Sequence, residues 1–256
     1  MNLWRMNGPV TATQDSLDLL GGYEPFTDRR PIRLSASIMC GDAAELPENL
    51  RILESFGIDL LHIDFMDGHF VDNLVIGADL IRALRTMTGI PLDIHLMYES
   101  AEEALEMIDI QETDQILFHI QSTRHPWRLA DKIRERGAKA GLVIATETPL
   151  PRVTDLLPAF DVIQVMSVPT GLAGAPFFNK ALDKAREIRD WLDLTRPNVP
   201  IQMDGSITHE NMTAVMESGA NVLILGYAAC FNRSMGLVNA LTKTRSIIAG
   251  FEGANS

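Results

Sequence analysis

Short apolar runs alternate with amphipathic segments along the chain from Pro31 onward. Each run has the length and composition of a buried strand, and each amphipathic segment repeats its apolar residues at helical spacing. The predicted strands cover residues 32–38, 60–64, 92–96, 115–120, 138–145, 161–166, 201–204 and 222–226. The predicted helices cover residues 44–56, 76–86, 101–109, 126–136, 150–156, 179–192, 209–218 and 234–248.

This alternation predicts an α/β protein with a parallel sheet covered by helices. Eight strand–helix units in roughly 220 residues is the count of a TIM (β/α)8 barrel, and a doubly wound open sheet is the alternative. Gly57, Gly137 and Gly219 each stand between a predicted helix and the next strand, a position typical of helix C-caps. The regularity favours the barrel.

The pattern divides the chain into three parts. Residues 31–250 form the predicted barrel domain, and residues 251–256 form a C-terminal tail. Residues 1–30 are poor in periodic signal and contain Gly-Pro and Gly-Gly pairs, so we interpret them as an arm outside the barrel.

Composition narrows the classes of function. A formal charge of −12 argues against a nucleic-acid or anionic-membrane surface. No apolar run approaches the roughly 18 residues of a membrane span, and residues 1–31 contain no signal-like segment, so we expect a cytoplasmic protein. Cys40 and Cys230 are too few for a disulfide framework and are interpreted as reduced packing residues.

Four polar side chains stand at the C-terminal ends of predicted strands: His62, Asp64, His95 and Asp204. In a parallel barrel these ends face the active-site mouth, so two imidazoles and two carboxylates converge there. Burial of four such groups without a partner is costly, and a divalent metal ion suits both ligand types.

Two further polar residues stand on the predicted third and fourth strands. Asp93 shares the interior side of its strand with His95, one layer deeper, and we expect it to accept a hydrogen bond from a ligand imidazole. His119 stands at the end of the fourth strand and is expected to face the same mouth. The sequence is equally consistent with a role there, either behind a metal ligand or in contact with the substrate, and with no role.

The stretch from His62 to Leu74 reads HIDFMDGHFVDNL and closely resembles the H-x-D-x-M-D-G-x-F-V-x-N signature of the ribulose-phosphate 3-epimerase family. Further matches follow in order: LSASI from Leu34, DIHLM from Asp93, MSV from Met166 and DGSI from Asp204. The resemblance covers about residues 32–248.

The resemblance implies a metal-dependent 3-epimerase of a ketose phosphate. His62, Asp64, His95 and Asp204 match the ligands of one divalent ion, for which Zn²⁺, Fe²⁺, Mn²⁺ and Co²⁺ are all suitable. Asp64 and Asp204 also match the paired acid and base, which would remove the C3 proton and return it on the opposite face while the ion stabilises the enediolate. The residues expected around the substrate are Ser37, Met66, His95, Met97, Met166, Gly171, Gly174, Gly205, Ser206, Gly226 and Tyr227.

The segments expected at the phosphate depart from the family pattern. Thr170 stands for a proline in P-G-F-G-G-Q, Ser206 for the second glycine of D-G-G, and Tyr227 for the serine of G-S. The glycines are retained, and backbone N–H groups in these loops would hold the phosphate. Together with the Ile38-Met39-Cys40 and Glu147-Thr148-Pro149 segments, these departures favour the allulose-6-phosphate branch over ribulose 5-phosphate, with a tetrulose phosphate as a smaller alternative.

From a different functional class, the chain could be a catalytically silent metal-binding relative with a regulatory or structural role. The intact acid and base argue against this. A homo-oligomer is expected because the family is oligomeric, and no nucleic-acid or membrane partner is expected.

Overall fold

A computed structural model describes residues 31–75 and 77–254 of the protein. The predicted N-terminal arm at residues 1–30 lies outside the described residues, as do Ile76 and the last two residues of the predicted tail. Within the described residues, no helix combines the length and apolar character needed to cross a bilayer.

Eight parallel strands pair in sequence order, and the pairing of the first with the last closes the sheet into a barrel. This confirms the predicted TIM barrel and excludes the open sheet. Nearly every strand residue is buried, as expected where helices cover the outside and side chains fill the interior. The strands are β1 Arg33–Ser37, β2 Leu60–Met66, β3 Leu92–Met97, β4 Gln115–His119, β5 Lys139–Ile144, β6 Val162–Met166, β7 Ile201–Asp204 and β8 Val222–Leu225.

Seven α-helices pack on the outside of the barrel within the described residues. Each buries one apolar stripe against the strands, as Ile81 and Leu84 do in the second helix. The helices are α1 Leu46–Ser55, α2 Ala78–Met87, α3 Ala101–Met107, α4 Pro126–Glu135, α5 Lys180–Thr195, α6 Met212–Glu217 and α7 Leu237–Ala254. Gly57, Gly137 and Gly219 have φ of 64°, 89° and 89°, which confirms their predicted place at helix C-termini.

Two of the predicted elements are corrected by the structure. The segment after β5, predicted as a helix at 150–156, forms two 3₁₀ segments, Leu150–Arg152 and Thr154–Ala159. Pro158 lacks the N–H that a continuing α-helix would need, which explains why the turns stay short. The last helix, α7, extends to Ala254, so the predicted domain boundary at residue 250 lies inside it.

The register of the strands brings the predicted polar residues together. His62 on β2 pairs with Asp93 on β3, and Asp64 pairs with His95. Asp204 on β7 lies beside Met166 on β6. Because alternate residues share a face of the strand, these pairs fill successive layers of the barrel interior.

Candidate metal and substrate site

A cavity of about 300 Å³ opens at the C-terminal ends of the strands, where TIM barrels place their active sites. The structure brings the predicted residues together there, with His62 and His95 buried beneath the cavity floor. The predicted residues that line the cavity are Ser37, Asp64, Met66, Met97, Met166, Gly171, Gly174, Asp204, Gly205, Ser206, Gly226 and Tyr227.

Two imidazoles and two carboxylates meet at the floor of this cavity. One ligand atom from each of His62, Asp64, His95 and Asp204 lies within 4.8 Å of the others. Asp64 Oδ1 lies 3.3 Å from His62 Nε2 and 3.2 Å from His95 Nδ1. Asp204 Oδ2 lies 3.7 and 3.6 Å from the same two nitrogens. The arrangement is a compact, mixed nitrogen and oxygen donor set.

Asp93 fixes the orientation of His62. Its Oδ2 accepts a hydrogen bond from His62 Nδ1 at 2.8 Å, as the sequence predicted. Since Nδ1 donates, the lone pair of Nε2 points toward the carboxylates of Asp64 and Asp204. An acceptor directed at two acceptors is favourable only when a cation or a proton lies between them.

The electrostatics of the site support the same conclusion. Burial alone would lower the pKa of His62, but the charges of Asp64 and Asp93 raise it well above its usual value. Burial is likewise outweighed at His95, whose pKa is raised by hydrogen bonds and charge from Asp204 and Asp64. Burial would raise the pKa of Asp64, and the two imidazoles lower it instead. Groups that attract positive charge this strongly, with imidazole and carboxylate donors, fit a divalent cation.

His119 contacts the ring nitrogen of His95 that does not face the carboxylates. The Nε2 atoms of the two rings lie 2.8 Å apart, so one must donate to the other. Burial and the charge of His95 lower the pKa of His119 well below its usual value, which makes the neutral His119 the acceptor. Its Nδ1 then carries hydrogen and has no acceptor among the described residues. The contact therefore leaves His95 Nδ1 directed at the carboxylates.

Three methionines form the apolar wall around the four polar side chains. Met66 and Met97 are register partners on β2 and β3, and Met166 ends β6. All three are at least 96% buried yet line the cavity. Their thioethers provide a polarisable surface that offers water only weak hydrogen-bond acceptors.

The loops after β6 and β7 are fastened to one another beside the cavity. Gly205 has φ of 118°, and a Cβ there would lie 2.5 Å from Val168 Cγ2, so only glycine fits. Ser206 follows with φ of 47° and donates from Oγ to Ala175 O at 2.6 Å. The side chain that replaces the family's second glycine thus ties the two loops together.

Asp67 connects the loop after β2 to the loop after β3. Its Oδ1 accepts from the backbone N–H groups of His69 and Phe70 at 2.8 and 2.7 Å, and its Oδ2 accepts from Glu99 N at 2.8 Å. Partial burial acts to raise the pKa of Asp67, but these three hydrogen bonds lower it below the usual value. The ionised carboxylate therefore holds two loops at the cavity rim.

We expect Asp67→Asn to lower the free energy of unfolding by about 1–2 kcal/mol at pH 7, because the amide cannot accept from all three donors. A carboxyl with a lowered folded-state pKa stabilises the protein above its unfolded pKa of about 3.9 and loses that effect as the pH falls through the folded value. Denaturant unfolding at pH 7 and pH 3 should show a larger difference at pH 7, because part of the effect is lost below the unfolded pKa. Asp72→Asn, in the same loop but with no hydrogen bond to its carboxylate among the described residues, is the matched control; an equal loss there would contradict the assignment.

Several residues of the site were not predicted from the sequence as contacts. Met39, Val168, Leu172, Ile207 and Ala228 also line the cavity, and no local pattern distinguished them from core residues. Gln164 and Gln202 lie beneath the floor, each two positions before a predicted site residue, Met166 and Asp204. Strand alternation was the signal that could have found them.

Both cysteines are free. Cys230 is buried in the core, and Cys40 lines the cavity. Burial raises the pKa of the Cys40 thiol to about 11, so it stays protonated near neutral pH and is a poor nucleophile.

Solved structures agree with this class of fold. The chain superimposes on 3-keto-L-gulonate-6-phosphate decarboxylase from Vibrio cholerae with a TM-score of 0.60 and 13% identity, over 87% of this chain and 99% of that one. A 3-hexulose-6-phosphate synthase gives a TM-score of 0.60 at 12% identity, over 84% of this chain and 99% of that one. At this identity the likeness shows the fold alone. Fold and site together define a TIM-barrel enzyme.

Sequence relatives are more specific. Residues 33–230 match the Ribulose-phosphate 3 epimerase family. Ribulose-phosphate 3-epimerase 2 of Cupriavidus necator is 37% identical over 80% of this chain and 88% of its own length. Ribulose-phosphate 3-epimerase of Bacillus subtilis is 33% identical over 77% of this chain and 91% of its own length. The chain therefore belongs to the ribulose-phosphate 3-epimerase family and is an isomerase, as the sequence motifs predicted.

Proposed function

We propose that the protein interconverts the two C3 epimers of a ketose phosphate with the help of one divalent metal ion. The observation that carries this proposal is the convergence of His62, Asp64, His95 and Asp204 at the floor of one apolar cavity. These four residues would hold the ion. When bound, it supplies Lewis-acid stabilisation of the negative charge that develops on the substrate oxygens.

The two carboxylates suit proton transfer at a carbon with opposite faces. Asp64 comes from β2 and Asp204 from β7, three strands away around the closed barrel, and both reach the cavity. The side chains remain 14% and 15% exposed, whereas both imidazoles are fully buried. One carboxylate can thus take the proton from C3, and the other, protonated, can return a proton to the opposite face.

Only one oxygen of each carboxylate is directed at the imidazoles. Asp64 uses Oδ1 and Asp204 uses Oδ2 for these contacts. Asp64 Oδ2 lies 3.4 Å from the hydroxyl of Ser37, which lines the cavity. In our proposal the inner oxygens hold the ion, and the outer oxygens exchange protons with the substrate.

The phosphate would be held by the backbone of the late loops. Among the described residues, neither lysine nor arginine lines the cavity. The N–H groups of Gly174, Ser206 and Ala228 border it and donate to no acceptor in the described part of the chain. Unpaired N–H groups in turns form concave sites for anions. They could therefore bind a phosphate without a cationic side chain, which suits a protein with a charge of −12.

The relatives favour ribulose 5-phosphate as the substrate, since two at 37% and 33% identity are named ribulose-phosphate 3-epimerases and one at 36% identity is named ribulose-5-phosphate-3-epimerase. The sequence features that favoured a hexulose phosphate are the Gly205-Ser206 step and the segments Ile38-Met39-Cys40 and Glu147-Thr148-Pro149. We propose ribulose 5-phosphate first and allulose 6-phosphate second.

The decisive test is proton NMR of the Zn²⁺-loaded protein in D₂O with each sugar phosphate in turn. We expect the C3 proton of ribulose 5-phosphate to be replaced by deuterium faster than that of allulose 6-phosphate. Exchange confined to allulose 6-phosphate would reverse the substrate order. Exchange with neither would rule out both sugars as substrates and indicate a different ketose phosphate or, if no ketose phosphate exchanges, a catalytically silent relative, which would contradict the proposal.

A further inference from the structure

Three glutamine side chains cross the barrel interior beneath the four proposed ligands. Gln115, Gln164 and Gln202 lie on β4, β6 and β7, and each is at least 98% buried. Burial of an amide without hydrogen bonds is strongly unfavourable. Here the amides bond to one another and to Asp93, and we call Gln115, Gln202 and Gln164 the amide chain.

Asp93 sets the direction in which the first two amides point. The carboxylate is fully buried and receives hydrogen bonds from Ser35 Oγ at 3.0 Å and His62 Nδ1 at 2.8 Å. Gln115 Nε2 lies 2.8 Å from its Oδ1, and Gln202 Nε2 lies 3.1 Å from the same oxygen. A carboxylate surrounded by donors acts only as an acceptor, so both amides must turn their NH₂ groups toward it.

The orientation of each amide fixes that of the next one along the amide chain, which ends at Asp204. Gln115 Nε2 also donates to Gln202 Oε1 at 2.9 Å, and Gln202 Nε2 donates to Gln164 Oε1 at 2.8 Å. The oxygen of Gln164 therefore faces Gln202, and its NH₂ group must face the metal site. There Gln164 Nε2 donates to Asp204 Oδ2 at 3.1 Å, with His95 Nδ1 at 3.2 Å and Met166 Sδ at 3.3 Å beside it. Aligned hydrogen bonds of this kind strengthen one another.

The last hydrogen bond of the amide chain is accepted by one oxygen of Asp204. Oδ2 receives Gln164 Nε2 and lies nearest to His62 and His95. The other oxygen takes no part in these contacts. A donor fixed on Oδ2 therefore determines which oxygen faces the imidazoles and which faces the cavity.

We propose that Gln164 is a positioning residue for Asp204, held in its working orientation by Gln202 and Asp93. The proposal rests on the function proposed above, because it assigns the inner oxygen of Asp204 to the ion and leaves the outer one for proton transfer. Gln164 touches no reacting atom. Its role is to prevent rotation of the carboxylate, which would exchange the two oxygens and weaken the donor set.

The test compares Co²⁺ binding to the full-length protein and to Gln164→Met, which keeps the length of the side chain and removes its donor. We expect the Co²⁺ dissociation constant to rise about 10- to 100-fold, the usual effect of removing a partner of a metal ligand. The visible absorption spectrum of bound Co²⁺ should also change, because it reports the arrangement of the ligands. The kcat for C3 exchange should fall by a similar factor while KM changes less than about twofold.

Asn221→Leu is the matched control. The Asn221 amide is also buried and accepts from Ile201 N at 3.0 Å, but at the opposite, N-terminal end of β7. Both substitutions remove a buried amide hydrogen bond and should lower the melting temperature, whereas only Gln164→Met should alter Co²⁺ affinity and spectrum. A second variant, Gln202→Met, retains Gln164 but removes the hydrogen bond that orients its amide. We expect the Co²⁺ dissociation constant to rise in this variant too, by a smaller factor.

Wild-type Co²⁺ affinity and spectrum in Gln164→Met would overturn the positioning role, whether or not the protein epimerises a ketose phosphate. An equal change in Asn221→Leu would also overturn it, since a general loss of stability would then explain the result. If the wild-type protein exchanges neither sugar but Gln164→Met alone perturbs Co²⁺ binding, the proposed substrate fails and the positioning of Asp204 stands.

Discussion

Asp204→Asn should reduce exchange at C3 on the order of 10²- to 10⁴-fold, the usual contribution of a general acid or base. The substitution removes the carboxylate that takes or returns a proton on one face of the substrate, yet it changes side-chain volume very little. The barrel should therefore fold as before. Deuterium entry at C3, followed by proton NMR, measures the loss directly.

The control for this substitution is Asp79→Asn on α2, where the aspartate is exposed and pairs only with Arg82 among the described residues. Exchange should be unchanged in that variant. Because Asp204 is also a proposed ligand, the metal content of Asp204→Asn must be measured before exchange is compared. Exchange at the wild-type rate in the fully loaded variant would refute the two-carboxylate mechanism.

Removal of the metal ion by a chelator should stop exchange almost completely. Without the ion, His62 and His95 attract protons and pair with Asp64 and Asp204, as the raised pKa values of both imidazoles indicate. The carboxylates would then be occupied by ion pairs, and the substrate would also lose Lewis-acid stabilisation. Two separate contributions to the rate disappear together.

Re-addition of single metals identifies the ion that suits the site. Zn²⁺, Mn²⁺ or Co²⁺ should restore exchange, whereas Mg²⁺ should restore little, since it strongly prefers oxygen ligands and two of the four donors are imidazoles. Far-ultraviolet circular dichroism before and after treatment checks that the barrel is retained. A chelated protein with no detectable metal and an unchanged rate would rule out the Lewis-acid role.

The barrel and the four proposed ligands could be predicted because their signals are local. His62 and Asp64 stand two residues apart on one strand, and strand alternation alone places them on the same side. The apolar runs that carry His95 and Asp204 are equally clear in the sequence. Parallel pairing in sequence order then brings the strand ends to one mouth.

The amide chain could not be predicted with the same ease. Alternation places Gln164 and Gln202 inside the barrel, but their hydrogen bonds depend on partners that are remote in sequence. Gln202 reaches Asp93 across 109 positions of the chain. The orientation of each amide is decided by that one carboxylate, a tertiary effect that no local pattern encodes.

For the segment after β5, the sequence predicted an α-helix where the structure has two 3₁₀ segments. Leu150, Val153 and Leu157 stand at helical spacing, and Pro149 and Pro151 are compatible with a helix start. The outcome was decided by Pro158 and by the burial of Val153 and Leu157 against the barrel, which two tight turns achieve in a short connection. Apolar periodicity therefore predicted the position of a helical element correctly, but it predicted the wrong type of helix.

The position of the four polar side chains relative to barrel closure has a mechanical consequence. The barrel closes where β1 meets β8, and His62, Asp64 and His95 lie on one side of that seam while Asp204 lies on the other. An ion bound by all four would join the two sides as a reversible cross-link, a function that disulfides serve in other proteins and that the free cysteines do not serve here. Since the four donors come together only when β1 and β8 are paired, the binding free energy of the ion also stabilises the closed barrel. The residues proposed to hold the ion would thus also stabilise the fold when the ion is bound.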